Sequence, residues 1–526
     1  MEGMRWRSPT LLLIVVLGLG LVGCERPEPE VTVVASMVPL ALAPTPEVTP
    51  FSAQTTGGGV VEQPPTPIRQ LSPAATVPTY EGTPTPDPTR PPTGADSSFL
   101  THTVGIGENL AYIAGRYGIS VDELMALNDL SNADFLSVGQ VIRVPGNAPL
   151  TSPSFKIIPD SELVYGPAAR GFDARAVAAH YGGYLLQYQE NVEGQQLSGP
   201  EIVQLVADRF SVNPRLLLAA LEYRSGWLTQ PTPAEQMYPM QRVQNGQEGL
   251  YKQLGWAADQ INRGYYGRAE GGLTSFLVGN QTRVAFARDV NDGTAGVQHW
   301  LGAHDGANYE RWLEDVGPNG FFATFSRLFG NPFAYSVDPL WPSDLTQPTL
   351  SLPWASGETW YYTGGPHGGW APGSAWAALD FVPHHEQLGC YPSDAWARAM
   401  APGIVTRSDF GAVVVDLDGD GYAGTGWAIV YMHLENRDRV GVGTRVETGD
   451  PLGHPSCEGG FSNGTHVHIA RTYNGRWVSA DGSLAFVMDG WESRGTGSEY
   501  DGFLVRGDTV KEACECRSEE NAITAD

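Results

Sequence analysis

The spacing of apolar residues divides the chain into regions of different predicted structure. In residues 155–345, apolar positions recur at helical spacing, as in the segment "SGPEIVQLVADRF". One face of that segment carries Ile202, Leu205, Val206 and Phe210. A proline lies near its start, and an Asn-Pro pair opens the next helical segment. The pattern predicts a mainly α-helical middle domain.

Residues 346–505 have a different pattern. Short alternating runs such as "GIVTRSD", "GWAIVYMHL" and "GTHVHIARTY" are separated by glycine-rich turns. Alternation with a period of two is typical of strands with one buried face, so we expect an antiparallel all-β C-terminal domain. Residues 506–526 are acidic and contain "CEC", and we expect a loosely held tail.

Two further regions precede the helical one. Residues 25–98 contain strings such as "TPTPDPTRPPT", which cannot build a hydrogen-bonded ladder or a core and therefore predict an extended tether. Residues 99–147 read as an extended start, two short helices and a closing strand in "GQVIRVP". Ser120 and Glu123 form a capping box that opens the second helix. A chain of 526 residues with these regions is predicted to be multidomain.

Charge and the first residues restrict the function and the compartment. The formal net charge of -26 opposes binding to phosphate backbones, so we expect no nucleic-acid partner. Arg5 and Arg7 precede a short apolar run that ends in "LVGC" at Cys24. Residues 1–24 resemble a lipoprotein signal peptide with a lipobox. The resemblance implies lipidation of Cys24 and an extracytoplasmic protein held at the membrane by this anchor alone, facing the cell wall.

The stretch "THTVGIGENLAYIAGRYGISVDELMALNDLSNADFLSVGQVIRVPG" closely resembles a LysM module. The resemblance implies a small β-α-α-β fold that binds the N-acetylglucosamine-containing glycan of peptidoglycan.

Candidate chemistry is concentrated in the β domain. His466 and His468 are two residues apart on a predicted strand, so both imidazoles leave the same face, as a metal centre requires. His433 ends another strand, and His367 and Asp380 lie in glycine-rich surroundings. The segment "HHEQL" is not an HExxH motif, which excludes the helix-based zinc protease arrangement.

As a set, these residues resemble the signature of the lysostaphin/LytM-type zinc endopeptidases, in order and over roughly 120 residues. The resemblance implies that His367, Asp380 and His468 bind Zn²⁺ and that His433 and His466 are catalytic histidines that do not bind it. Three protein ligands leave a fourth position for water, as hydrolytic zinc requires. The implied substrate is the peptide part of peptidoglycan, in its stems or cross-bridges.

One departure from the family pattern leaves an alternative open. Twelve residues, "GGWAPGSAWAAL", separate His367 from Asp380, where the compact pattern has three. We read them as an inserted loop, but His384 or His385 could replace His367 as the first ligand. Four cysteines follow Cys24 and allow three pairings, among which we favour a disulfide between Cys390 and Cys457 because they flank the predicted site.

Two alternative functions and one further site remain. The segment "NPRLLLAALEYRSGW" faintly resembles lytic transglycosylases, but Arg224 stands where their acid precedes serine, which leaves Glu222 as a candidate acid for muramidase activity. A second alternative is an inactive wall-binding adaptor that activates another hydrolase. The aspartates of "DLDGDG" begin like a calcium loop, although Trp427 replaces its final glutamate.

Overall fold

The structure has short strands and helices in the first region, mostly helices in the middle region and many antiparallel strands in the C-terminal region. The structure is a computed structural model that describes residues 99–105, 108–117, 121–128, 130, 136–145, 149–270, 272–279, 282–384 and 389–526. The chain divides into two units, 1–76 and 77–526, and every described residue belongs to the second. The signal peptide, Cys24, the tether, the Ser120 cap and His385 lie outside the described residues. Within the described part, no helix has the length and apolar character needed to cross a bilayer.

The first described region has the expected β-α-α-β order, and its two strands pair antiparallel. Its small core contains Leu110, Ile113 and Val144. The elements are β1 (Phe99–Thr103), α1 (Leu110–Arg116), α2 (Val121–Leu127) and β2 (Val141–Pro145).

The middle region is mainly helical and also contains short strands in two hairpins. The predicted apolar face of α6 (Gly199–Phe210) is confirmed, because Ile202, Leu205, Val206 and Phe210 are all buried. The elements are β3 (Leu150–Thr151), α3 (Asp160–Leu163), α4 (Ala174–Tyr181), α5 (Tyr184–Gln187), β4 (Gln189–Val192), β5 (Gln195–Ser198), α6 (Gly199–Phe210), α7 (Pro214–Ser225), α8 (Leu250–Ala269), β6 (Ser275–Val278), β7 (Thr282–Ala285), α9 (Asp292–Ala303), α10 (Tyr309–Asp315) and α11 (Phe321–Phe329).

The C-terminal region is built on a nine-stranded antiparallel sheet with the order β14-β11-β12-β13-β16-β9-β8-β22, to which β17 is added beside β16. A second sheet has the order β18-β19-β20-β21. The strands are β8 (Thr359–His367), β9 (Ala378–Pro383), β10 (Ala397–Arg398), β11 (Gly403–Asp409), β12 (Ala412–Asp416), β13 (Trp427–Met432), β14 (Arg445–Val446), β15 (Pro451–Gly453), β16 (Val467–Tyr473), β17 (Arg476–Trp477), β18 (Val487–Met488), β19 (Trp491–Gly495), β20 (Gly502–Arg506), β21 (Thr509–Glu512) and β22 (Ala522–Thr524).

Both faces of the nine-stranded sheet are covered. One face, with Val467 and Ile469, packs into the core of the β region. The opposite face carries Ala378, Ala428 and Ala470, which belong to the hydrophobic core of the helical region. The helical and β regions therefore share a core, and the boundary near residue 345 does not separate two independent packing units.

The expectation of a loosely held acidic tail is wrong. β22 pairs with β8 along the edge of the large sheet, and Ile523 is buried in its core. The side chain of Asn521 donates hydrogen bonds to the carbonyls of Tyr362 and Cys516, at 3.0 and 2.9 Å. Ile523 and Ala525 are buried in the core together with the side chain of Asn521. So few apolar residues do not register as a strand in the sequence.

Candidate metal centre

Strand register brings three side chains together on the face of the sheet that adjoins the helical region. Asp380 on β9 lies directly opposite His468 on β16. His367 ends β8, after two register shifts in its pairing with β9. Gly364 faces Asp380 in that pairing, and a Cβ atom there would lie only 2.7 Å from Asp380 Oδ2. The glycine therefore leaves the space that the carboxylate occupies.

The three side chains form a compact donor set. His367 Nε2 lies 3.0 Å from His468 Nδ1 and 3.3 Å from Asp380 Oδ1. His468 Nδ1 lies 3.2 Å from the same carboxylate oxygen. All three residues are buried.

Hydrogen bonds to the backbone assign the tautomer of both imidazoles. His367 Nδ1 lies 2.8 Å from the carbonyl of Gly365, and His468 Nε2 lies 3.0 Å from the carbonyl of Gly369. A carbonyl oxygen only accepts, so each of these nitrogens donates its hydrogen. The lone pairs of the other two nitrogens therefore point at each other and at Asp380. Such second contacts are the usual means by which proteins orient histidine ligands.

Three facing lone pairs form a donor set that suits a cation. Asp380 Oδ1 is among the buried polar atoms of the described residues that have no hydrogen-bond partner. Burial alone raises the pKa of Asp380, but the imidazoles of His367 and His466 hold it well below its usual range. In a tetrahedral zinc site with bonds of about 2.0–2.1 Å, ligand atoms lie about 3.3 Å apart. The donor types and their separations therefore fit Zn²⁺.

Two further histidines lie next to this donor set. The rings of His433 and His466 are 4.4 Å apart between centroids, and His466 Nε2 lies 3.7 Å from Asp380 Oδ1. His433 Nδ1 donates to the carbonyl of Glu458 at 3.0 Å, and His466 Nδ1 donates to that of Gly464 at 2.7 Å. Burial, followed by the neighbouring imidazoles, lowers the pKa of His433 well below its usual range. In the neutral form of each ring, the hydrogen therefore sits on Nδ1 and Nε2 carries the lone pair.

The backbone around His433 is unusual. Its φ of 64° is uncommon for a side chain other than glycine, and such positions occur often at functional sites. Its carbonyl accepts hydrogen bonds from the amide and the hydroxyl of Ser456, at 2.6 and 2.9 Å. Ser456 also bridges to His466, so one segment fixes both histidines. The disulfide between Cys390 and Cys457 joins the residue directly after Ser456 to the loop that contains Cys390.

Sequence reasoning missed Tyr500, which lies in the turn between β19 and β20. Its ring stacks on His367 with centroids 4.2 Å apart, and about half of its surface is exposed. Its amide donates to the carbonyl of Pro366, and its carbonyl accepts from Gly365. Tyr500 is more than 130 residues from His367 in the chain, and no spacing pattern connects them.

The other candidates of the sequence analysis lie elsewhere. His384 is exposed, and its Nδ1 lies 2.9 Å from the hydroxyl of Tyr361 rather than in the donor set. Glu222 is buried and accepts from the amides of Leu228 and Thr229, both at 3.1 Å, and from the Thr229 hydroxyl at 2.7 Å. Its carboxylate therefore closes the end of α7, and it also pairs with Arg327 at 3.3 Å.

The "DLDGDG" aspartates do cluster, but their oxygens have partners. The carboxylate of Asp416 accepts from the amides of Asp418 and Gly421, and Asp420 pairs with Arg170 at 2.6 Å. A hydrogen-bonded turn accounts for these contacts.

Comparison with known proteins matches two parts of the chain to family models and also finds similar proteins. The model of the LysM domain matches residues 102–145, and that of the LasA N-terminal domain matches residues 156–342. Protease LasA of Pseudomonas aeruginosa is 27% identical over 347 residues, which cover 62% of this chain and 75% of the relative. A probable autolysin of Staphylococcus aureus, SsaALP, is 43% identical over 67 residues, which cover 12% of this chain and 24% of the autolysin.

Solved structures were matched as well. The M23 metalloprotease pseudoalterin is 27% identical, with a TM-score of 0.26, over 32% of this chain and 96% of its own. The catalytic domain of lysostaphin from Staphylococcus simulans is 20% identical, with a TM-score of 0.17, over 23% of this chain and 89% of its own.

The family models and the sequence relatives support one class for this chain. It combines a LysM module with an endopeptidase domain of the LytM type. Within that class it is related to protease LasA, whose N-terminal domain it also carries between the two.

Proposed function

We propose that the chain is a zinc-dependent endopeptidase that cleaves the stem peptides or cross-bridges of peptidoglycan. The observation that carries this proposal is the donor set of His367, Asp380 and His468, in which two fixed lone pairs and an unpartnered carboxylate oxygen lie within 3.3 Å of one another. When bound there, zinc would acidify a water molecule and polarise the scissile carbonyl.

The chain's own residues supply the remaining chemistry. Gly365 and Gly369 hold the two ligand imidazoles in the tautomers that leave the ligating nitrogens unprotonated. His433 and His466 each present an Nε2 that can take the proton of the attacking water or, once protonated, stabilise the oxyanion. Tyr500 covers one face of His367 and limits the approach of solvent from that side.

The remaining parts of the chain bring the enzyme to its substrate. The LysM module would bind the N-acetylglucosamine-containing glycan, and lipidation of Cys24 would retain the protein outside the cytoplasm. Tethering and glycan binding together raise the effective concentration of the peptidase at the wall. An inactive adaptor would have no need of a complete and oriented donor set, so we favour the enzyme.

Digestion of purified peptidoglycan tests the proposal. The full-length protein is incubated with zinc and purified sacculi, and the released fragments are identified by mass spectrometry. We expect new peptide termini and no new sugar ends. Zinc content is measured on the same protein, and a protein that holds no zinc and releases no peptides would leave the adaptor function.

Four variants separate the residues proposed to bind zinc from the two histidines proposed to act in catalysis. Asp380→Ala and His468→Ala should lose both zinc and cleavage, whereas His433→Ala and His466→Ala should keep zinc and lose cleavage. His384→Ala is the matched control, because it removes a histidine of the same domain that lies outside the donor set. Loss of zinc in His384→Ala would move the first ligand away from His367.

A further inference from the structure

The helical region reaches the metal centre through one loop. Residues 368–377, here called the insert loop, lie between the first two ligands, His367 and Asp380. They are ten of the twelve residues between these ligands, where the compact family pattern has three. Their contacts run in two directions, toward His468 on one side and toward α6 and α8 on the other.

The first set of contacts fixes His468. The carbonyl of Gly369 accepts the hydrogen of His468 Nε2 at 3.0 Å, and the amide of Gly369 donates to Ala375 within the loop at 3.0 Å. Gly369 lies against the ring of Trp477, where an added Cβ atom would approach to 2.6 Å. The position of this carbonyl is therefore determined by the loop on one side and by Trp477 on the other.

The second set of contacts holds the loop itself. Asp259, on α8, accepts a hydrogen bond from the amide of Gly373 at 2.7 Å. The ring of Trp370 lies under the guanidinium group of Arg209, with 4.8 Å between the ring centroid and the guanidinium carbon. Arg209 belongs to α6, so two helices of the middle region, α6 and α8, contact the insert loop.

Trp477 is held by the same two helices. Its amide donates to the hydroxyl of Tyr266 on α8 at 3.0 Å. Its indole nitrogen donates to the carbonyl of Phe210 on α6 at 3.3 Å. Both supports of the Gly369 carbonyl thus depend on α6 and α8.

We infer that the helical region is a positioning element of the metal centre, and that Asp259 is a positioning residue acting through the insert loop and the Gly369 carbonyl on His468. If the loop is released, the His468 ring loses the acceptor that fixes its rotation and tautomer. The nitrogen directed at the metal is then no longer held in the geometry that a tight site needs. The inference rests on the zinc site of the proposed function.

The test compares three variants of the full-length chain. Asp259→Leu removes the acceptor for the Gly373 amide and keeps the approximate volume of the side chain, whereas Asp259→Asn keeps a side-chain oxygen there. Asp305→Leu is the matched control, because Asp305 also accepts a backbone amide of the helical region, that of Val243 at 2.7 Å, without touching the insert loop.

Two readouts are measured besides activity. Zinc affinity is determined by competition with a chromophoric chelator, and the Co²⁺-substituted protein gives a visible absorption spectrum that reports the ligand geometry. We expect Asp259→Leu to lose affinity on the order of tenfold and to change the Co²⁺ spectrum. Asp259→Asn and Asp305→Leu should stay within about twofold of the parent protein with an unchanged spectrum.

The outcomes distinguish this inference from the proposed function. A parent protein that binds no zinc overturns both. A parent that binds zinc together with a folded Asp259→Leu of equal affinity and identical spectrum overturns the inference alone. If Asp259→Leu does not fold, Trp370→Phe replaces it, since that variant shortens the ring held under Arg209 and should shift the affinity and the spectrum in the same direction.

Discussion

The space beside Asp380 gives a sharp test of the donor geometry. In Gly364→Ala the new Cβ atom would lie 2.7 Å from Asp380 Oδ2 and 3.0 Å from its Cγ, against about 3.4 Å for an ordinary contact. The carboxylate must therefore retreat by about 0.7 Å, whereas metal–ligand bonds tolerate about 0.2 Å. We expect zinc affinity to fall at least tenfold, which is about 1.4 kcal/mol.

The same variant should lower the free energy of unfolding by about 1–3 kcal/mol, because an extra methyl group is forced into a packed strand. Chelator competition measures the affinity, and urea denaturation measures the stability. Gly441→Ala is the matched control, since no atom lies within 4 Å of its added Cβ. A folded Gly364→Ala protein that binds zinc as tightly as the parent would refute the assignment of Asp380 as a ligand held in a fixed position.

Three further predictions concern the surroundings of the site and the two regions that share a core. Ser456→Ala removes a hydrogen bond of about 1 kcal/mol to the His433 carbonyl. We therefore expect kcat in the peptidoglycan assay to fall about fivefold with zinc content unchanged. An unaltered kcat would show that the hydrogen bond from the Ser456 amide is enough to hold His433 in place. Burial lowers the pKa of His299 to about 4, so the unfolded chain takes up a proton below pH 6.5 that the folded chain does not. Stability should therefore fall by up to about 3 kcal/mol as the pH drops from 6.5 to 4, and His299→Gln should flatten this decline in urea titrations; parallel profiles would contradict the shift. Replacing both Cys390 and Cys457 by serine should lower the free energy of unfolding by about 4 kcal/mol, because a disulfide across a 67-residue separation restricts the unfolded chain. A decrease below about 1 kcal/mol in the same denaturation assay would contradict this.

The sequence could predict the elements and the donor types but not what surrounds them. The stripe on α6 and the H-x-H strand follow from side-chain periodicity, which is local. The carbonyls of Gly365 and Gly369, which orient the two imidazoles, are backbone atoms, so no residue type marks their role. The turn that brings Tyr500 onto His367 depends on a distant hairpin, for which the local pattern gives no partner.

The sequence does contain one indication that the helical and β regions share a core. The runs "AVVVD" and "WAIVYM" are nearly continuous in apolar residues, which is typical of strands buried on both faces. In the structure, Val413 packs into the β core and Val414 into the core shared with the helices. An ordinary antiparallel sheet has one solvent-facing side, and that expectation gives no reason for the helical region to pack against the sheet.

The most direct test of the central claim is an anomalous difference map, recorded at the zinc absorption edge from crystals of the full-length protein grown with equimolar zinc. We expect one strong peak within bonding distance of His367 Nε2, Asp380 Oδ1 and His468 Nδ1, with His433 and His466 nearby but not bonded. A map without density among those three atoms, or with the ion bound through His384, would contradict it.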